Sequence, residues 1–421
     1  MKKLLFLICF LTVSFSYAQM LTWQQVVVPT TKDLNCIEFP TPQVGYIGGA
    51  DSLLLKTIDG GITWNAVPFN GISFFPGGDD FLKLDFVSAN IGYATVGPYS
   101  GIYQTVDGGL NWTVISTTLC FNQGLFFTAD GEGFVGGSGC FQGEQMIRFS
   151  SGTATTATIN SPSWSASDMV VDIDFEYGVL DSVGLAVSLG GRILRSIDGG
   201  FNWDTIPSPL GNAVPLTSIT IVDTNLAYVG YDNGSTGLGL LISTDGGLTW
   251  SLDGNTATFY YPIYHHLHTT LNGKTLAGAQ SISLNTGLIM ESTTSGWWNM
   301  YPMNEPIYGI TSFNDTMIWA AGKNGYLVKT IDPNSVSITT IQAEESIGLF
   351  PNPTNEYLSI QFSNEAAAKE FSIEIYSMEG RLIKKGEVGK STIQVSDLAH
   401  GEYYVKVTQN SSILTSKFVK H

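Results

Sequence analysis

Glu38, Asp85, Asp174 and His268 each follow an apolar residue, Ile37, Leu84, Ile173 and Leu267, at one equivalent point of a pattern that recurs along the chain. Thr220 and Thr311 fill the same place after Ile219 and Ile310. Two residues earlier stand Cys36, Lys83, Asp172, Ser218, His266 and Gly309, on the same face if these runs are strands, because strand side chains alternate. Carboxylates and imidazoles gathered about one axis suit the binding of a cation or a sugar, and they suit general acid and base chemistry. Glycoside hydrolysis would need two of the carboxyl groups roughly 5 to 9.5 Å apart. The competing use of the same side chains is hydrogen bonding between neighbouring units of the repeat. His265-His266-Leu267-His268 also suggests zinc, but the spacing indicates no third ligand and no C-x-x-C pair occurs, so neither a metal nor a cofactor is expected. Tyr260, Tyr261, Tyr264, Trp297 and Trp298 offer flat faces to a sugar or a protein surface, and packing between units of the repeat explains them equally well.

The elements that must position these residues come from a repeat. K-T-I-D-G-G-I-T-W ends at Trp64, Q-T-V-D-G-G-L-N-W at Trp112, R-S-I-D-G-G-F-N-W at Trp203 and I-S-T-D-G-G-L-T-W at Trp250. Their aspartates, Asp59, Asp107, Asp198 and Asp245, are 48, 91 and 47 residues apart, so the longest gap holds a decayed copy, R-F-S-S-G-T around Ser151. Further decayed copies lead to Trp298 and include Asp332. A glycine-rich apolar strand precedes each copy, as at Tyr46-Ile47-Gly48-Gly49 and Trp319-Ala320-Ala321-Gly322, and gives the same count. Seven units of roughly 40 to 50 residues, each readable as four short strands, predict an all-β chain built on a seven-bladed β-propeller. In each D-G-G hairpin the Asp side chain accepts bonds from backbone N–H groups, the glycines take left-handed conformations and the Trp covers the turn, which makes these aspartates structural. The seventh copy lacks a Trp, and Trp23-Gln24-Gln25-Val26 looks like its missing outer strand. Residues 21 to 28 are therefore expected to close the ring against the last blade.

The S/T-x-D-x-G-x-x-W element resembles the Asp-box, or BNR repeat, of sialidases and sortilin-like receptors. The fuller unit, G-Y-x-x-G followed by D-G-G-x-x-W, is similar to the propeller of the photosystem II assembly factor family over residues 20 to 342. That resemblance specifies fold, since these turns recur across unrelated activities. A sialidase-like site implies three arginines on the substrate carboxylate, a Tyr–Glu nucleophile pair and an acid. The propeller offers Arg148, Arg192 and Arg195, and two of them, Arg148 and Arg195, share the repeat position of Lys56, which reads as blade surface. Xyloglucan-cleaving relatives use two propellers, where this chain has one.

Beyond residue 343 the composition shifts, with Lys common and Trp absent after Trp319. Leu358-Ser359-Ile360-Gln361-Phe362, Phe371 to Tyr376 and Tyr403 to Val407 alternate with period two, predicting a small immunoglobulin-like β-sandwich over 343–421. L-F-P-N-P-T-N with Pro351, Asn352 and Pro353, I-Y-S-M-E-G-R with Gly380, L-A-H-G-E-Y-Y-V-K-V with Gly401, and the final K-F-V-K resemble the C-terminal sorting domain of type IX secretion cargo. The resemblance implies recognition by that secretion machinery, then release or attachment to the outer cell surface. At the other end, Lys2 and Lys3, an apolar run and Ser16-Tyr17-Ala18 read as a signal peptide over 1–18, leaving 19–342 for the propeller. No stretch is long and apolar enough to be a transmembrane segment.

The formal net charge of the 421-residue chain is -17, and such a balance disfavours nucleic acid, whose phosphates need clustered Lys and Arg. A basic protein partner fits it better. Of the three cysteines beyond the leader, Cys120 and Cys140 have the separation of a possible disulfide between neighbouring strands, with three free buried thiols as the alternative. Together these readings give a secreted or cell-surface propeller that binds or scaffolds an extracellular protein or glycan. The alternative is a secreted glycoside hydrolase or lyase acting through the axial carboxylates.

Overall fold

The computed structural model describes residues 21–421 except 73–78, 98–100, 118, 140–144, 151, 161–167, 177–182, 213, 233–237, 255–261, 271, 282–285, 294–295, 297, 315, 332–346, 363–370, 378–381, 387 and 410–411. The chain divides into two compact units, one running to Ser335 and the other from Val336. The expected leader and the expected boundary at 343 lie outside the described residues.

In the first unit the described residues form seven sheets. Leu34–Glu38, Gly45–Gly49, Leu53–Thr57 and Asn65–Ala66 pair antiparallel in chain order, and the order repeats in the sheets whose inner strands are Phe81–Phe86, Leu119–Phe127, Val170–Phe175, Leu216–Ile221 and Pro262–Thr269. Each inner strand packs on the next, and Ile307–Ser312 packs back on Leu34–Glu38, so the inner strands form a closed ring, a β-propeller. The last sheet takes its outer strand from the start of the chain. Thr22–Val26 pairs antiparallel with Leu327–Ile331, Trp23 opposite Thr330, as the sequence predicts. One strand had no sequence signal: Thr158–Asn160 runs parallel to Asn202–Ile206 and gives that sheet a fifth member.

Six of the inner strands share a β-bulge, while in Leu119–Phe127 the register shifts by two residues between Cys120 and Gly124. Register slips by one residue between Leu34 and Cys36, Phe81 and Lys83, Val170 and Asp172, Leu216 and Ser218, Tyr264 and His266, and Ile307 and Gly309. A bulge bends its strand and re-aims the side chains beyond it, which here turn together toward the axis.

Stacked blades bury both faces of their second strands, which is why Gly45–Gly49 and Gly92–Val96 are buried at every position instead of alternating. The glycine that opens these strands makes room for a ring. A Cβ on Gly45 would lie 2.6 Å from Phe39, and one on Gly92 would lie 2.5 Å from Phe86. The other face of each phenylalanine stacks on an aromatic of the preceding blade: Tyr46 on Phe86 at 3.6 Å between centroids, Tyr93 on Phe127 at 3.6 Å and Trp319 on Phe39 at 3.7 Å. Such pairs add about 0.5–1.5 kcal/mol each beyond the area they bury. The G-Y element of the repeat is thus half of a glycine–phenylalanine–aromatic stack joining two blades.

The four Asp-box hairpins are built alike. Asp245 Oδ1 accepts from the N–H groups of Leu248 and Thr249 at 3.1 and 2.9 Å, while Ser243 Oγ donates to it at 2.9 Å and accepts from Gly247 N–H at 2.8 Å. Hydrogen bonds from the Thr249 hydroxyl and backbone hold the Asp245 carboxyl at about 2. Asp59, Asp107 and Asp198 make the corresponding bonds. Trp112, Trp203 and Trp250 each donate Nε1–H to the second glycine of their own box, at 2.9, 2.9 and 3.2 Å. Trp64 Nε1 makes no such bond, and Trp319 from the last blade lies over Gly61.

In the second unit, Ile347–Phe350, Tyr357–Phe362 and Thr392–Gln394 form one sheet, and Leu382–Lys385, Phe371–Ser377, Gly401–Gln409 and Ser412–Lys420 form another. Leu358, Ile360 and Ile393 from the first sheet share a core with Ile373, Val405 and Phe418 from the second, which makes a sandwich. Between Pro351 and Pro353, the Asn352 amide donates to Lys417 O at 3.1 Å and accepts from Val419 N–H at 2.9 Å. Gly401 opens the strand Gly401–Gln409, and Gly380 lies outside the described residues.

Candidate functional site

The ring encloses a cavity of about 900 Å³ on its axis, lined by the inner strands. Glu38, Asp85, Asp172, Asp174, His266 and His268 all line it, together with Cys36, Lys83, Thr220 and Gly309 from the same aligned positions, whereas Ser218 and Thr311 are not among its lining residues. Each also reaches to a neighbouring blade. Asp85 Oδ2 accepts from Phe127 N–H at 2.6 Å, Asp172 Oδ2 from Ile219 N–H at 3.0 Å and Asp174 Oδ2 from Ile221 N–H at 2.8 Å. His266 Nδ1 lies 2.9 Å from Ile310 O, and His268 Nε2 lies 2.8 Å from Ser312 Oγ. Glu38 closes the circle through a hydrogen bond with Thr311 of the last blade.

These bonds use one end of each side chain. Asp85 Oδ1, His266 Nε2 and His268 Nδ1 have no hydrogen-bond partner among the described residues, and all three residues face the cavity. Where His266 donates Nδ1–H to the carbonyl, Nε2 is left as an acceptor. The wall is therefore a set of polar groups fixed at one end by the fold and presented at the other.

Protein on every side of the bore shifts these groups toward neutrality. Burial, reinforced by the charge of Asp85, pushes Glu38 up to about 8, with Lys83 opposing. Burial raises Asp85 and Asp174 to about 7 against the pull of their N–H donors. Burial also raises Asp172, with Lys83 opposing, and lowers His266 well below its usual value and His268 to about 4. The imidazoles are thus neutral at pH 7. Lys83 is the cation lining this cavity among the described residues; its ammonium stands 3.6 Å from Asp172.

Alignment of the repeat missed the third inner strand. Leu119–Phe127 places Gly124 where the others have Cys36, Lys83 or Asp172, and Phe126 where they have Glu38 or Asp85. Neither is polar, so a pattern of titratable groups does not extend to it. The Phe127-to-Gly133 spacing, equal to Phe39-to-Gly45 and Phe86-to-Gly92, would have fixed its register.

The propeller arginines are engaged elsewhere. Arg148 pairs with Glu132 at 3.0 Å, Arg192 with Asp168 at 3.1 Å, and Arg195 Nε donates to Gly246 O at 2.8 Å on the next blade. Lys56 makes the equivalent bond to Gly108 O at 3.3 Å, as their shared repeat position suggests. Cys36 is a buried free thiol in the cavity wall, pushed up to about 12 by burial. Cys140 and the side chain of Cys120 lie outside the described residues, as do Tyr260, Tyr261, Trp297 and the side chains of Tyr264 and His265. Trp298 is buried and donates to Asp253 at 2.8 Å, which makes it a packing residue. Among the described residues no group of three or more His, Cys, Asp or Glu is placed to hold a metal ion, and no helix is long and apolar enough to cross a membrane.

Known folds place this ring among the β-propellers. YCF48 from Cyanidioschyzon merolae superposes with a TM-score of 0.54 at 18% identity, over 75% of this chain and 99% of that one. The WD40 propeller domain of Doa1 gives 0.53 at 13%, over 74% and 98%. The GH74 xyloglucanase from Xanthomonas campestris gives 0.52 at 10%, over 82% of this chain and 59% of that one. At these identities the likeness is one of fold. Family models add the particulars: the photosynthesis system II assembly factor YCF48 model matches residues 15–73, the BNR/Asp-box repeat 241–252, and the secretion system C-terminal sorting domain 348–421. No curated protein matches the chain. The protein is a BNR-type β-propeller fused to a type IX secretion sorting domain, a tail that marks proteins secreted to the cell surface or the extracellular space.

Proposed function

We propose that the propeller is a non-enzymatic binding or scaffold module displayed at or beyond the cell surface, delivered there when the type IX machinery recognises the C-terminal domain. The observation that carries this reading is the double duty of the axial polar groups. Asp85, Asp172, Asp174, His266 and His268 each spend a hydrogen bond on the neighbouring blade, and a side chain pinned in this way is suited to holding a ring and a ligand in place. Transfer of photosystem assembly from the YCF48 resemblance sits poorly with a tail that directs the protein out of the cell. The test incubates the secreted full-length chain with intact cells and with an array of extracellular glycans, and follows both retention and product release. Retention without products is expected; turnover lost in Asp85→Ala or Asp174→Ala would overturn the reading.

A second reading, hydrolase or lyase action, is favoured by one observation. Glu38 and Asp85 face the same cavity and are held near 8 and 7, as an acid and base pair working near neutrality would be.

A further inference from the structure

The axial cavity has the volume of a small-molecule site, which runs to about 300–1,000 Å³. Its lining narrows the occupant. Asp85 and Asp174 lose their protons near pH 7 and would then repel an anion, while the ammonium that could attract one, that of Lys83, already stands beside Asp172. Lys83 already supplies an ammonium beside Asp172 and acts on Glu38 and Cys36, so the place a cation would take is filled by the protein itself. A wholly apolar ligand would strip water from Asp85 Oδ1 and the free imidazole nitrogens without replacing its hydrogen bonds. The wall mixes acceptors, an ammonium donor and carboxyl groups that take up a proton near neutral pH. Hydroxyl groups suit such a wall, because each both donates and accepts.

The third blade supplies the remaining feature. At the ring position occupied elsewhere by Glu38, Asp85 and Asp174, it presents Phe126, which lines the cavity and is only half-buried. The Phe126 ring packs at 5.0 Å on Phe175, which with Tyr308 also lines the wall. An aromatic face among fixed hydrogen-bonding groups matches a pyranose, which offers an apolar C–H face and a rim of hydroxyls.

Resting on the reading of the propeller as a binding module, we infer that its axial cavity binds a neutral oligosaccharide or glycan chain end, stacked on Phe126 and hydrogen-bonded by the free ends of Asp85 and His266 and by the ammonium that Lys83 shares with Asp172. Isothermal titration calorimetry of the full-length protein tests this with neutral tetrasaccharide fragments of β-glucan, α-glucan, mannan and xylan, and with an oligogalacturonate and spermine as anionic and cationic comparators. At least one neutral fragment should bind, with neither comparator doing so. Phe126→Ala should weaken that binding tenfold or more without lowering the melting temperature enough to unfold the protein, and Phe201→Ala, on an exposed Asp-box tip, should leave it unchanged. Should Phe126→Ala fail to fold, Phe126→Leu keeps the apolar volume, removes the aromatic face and carries the same expectation. No binding by any neutral fragment, preference for spermine, or affinity indifferent to both Phe126 and Lys83→Met overturns the inference. Those outcomes leave the binding-module reading standing if the protein is still retained on cells, whereas release of shortened sugars would overturn that reading and keep the cavity as the site.

Discussion

The ammonium of Lys83 stands 3.6 Å from the carboxylate of Asp172, although a whole blade separates the strands that carry them. The contact spans the intervening inner strand because that strand has Gly124 at the corresponding position, and so no side chain in the way. Lys83→Met should therefore destabilise the propeller by about 1–3 kcal/mol, less than a fully buried pair because the two side chains keep 22% and 10% exposure. Urea unfolding measures this, and the cost should nearly vanish in an Asp172→Asn background.

Stability should fall as pH rises from about 6.5 to about 9. Glu38, Asp85 and Asp174 have folded pKa values near 8, 7 and 7, above their unfolded values, so the folded state holds protons that the unfolded state has released. Their contribution is complete below about pH 4 and is lost as pH climbs through the folded values. His266 and His268 act oppositely, since their lowered values favour folding above about pH 6.5 and lose that effect as the pH falls toward 4. Above pH 6.5 the carboxyl groups act alone. Melting temperatures at fixed ionic strength should show the decline, and Glu38→Gln should flatten its upper part by as much as one proton's worth of slope.

Each Asp-box is a self-contained brace. Asp198→Ala removes the acceptor for Asn202 N–H at 3.0 Å and for the Ser196 hydroxyl at 3.0 Å, at an expected cost of about 1–3 kcal/mol. Trp203→Ala empties a site with no solvent exposure and should cost about 3–5 kcal/mol. Because both changes act on one hairpin, a double-mutant cycle in denaturant should show the pair costing less than their sum.

Asn352→Ala should reduce export. Its amide bridges Lys417 O and Val419 N–H, joining the P-N-P segment to the last strand of the tail. Losing both bonds should loosen that corner by about 1–2 kcal/mol. The ratio of protein in the medium and on the surface to protein retained inside reads the effect, and a ratio equal to wild type would separate the motif's packing role from sorting.

Much of the ring is legible in the sequence because its signals are local and repeated. The D-G-G hairpins, the tryptophan three residues beyond and the ring-closing strand at Trp23 are dictated by short-range geometry, and Thr22–Val26 pairs at the expected place. The axial positions come from repeat phase, since Glu38, Asp85 and Asp174 occupy one register. The hidden part depends on contacts between distant segments. Nothing in Thr158–Asn160 announces a parallel partner at Asn202–Ile206, and nothing in Lys83 points to Asp172 across a blade. Phe126 escapes a pattern of titratable groups because its chemistry differs from that of its ring-mates, which is the property the glycan inference draws on.

The ring closes where Thr22 meets Ile331, so its final seam joins residues about 300 positions apart. Every other blade can zip up from a neighbouring hairpin, on the fast timescale of local pairing. The seam must wait for the whole intervening chain to be ordered, and until then Leu327–Ile331 has an unpaired outer edge. Completion is thus a late, all-or-none event. In transit, a propeller that has formed its seam is a finished one.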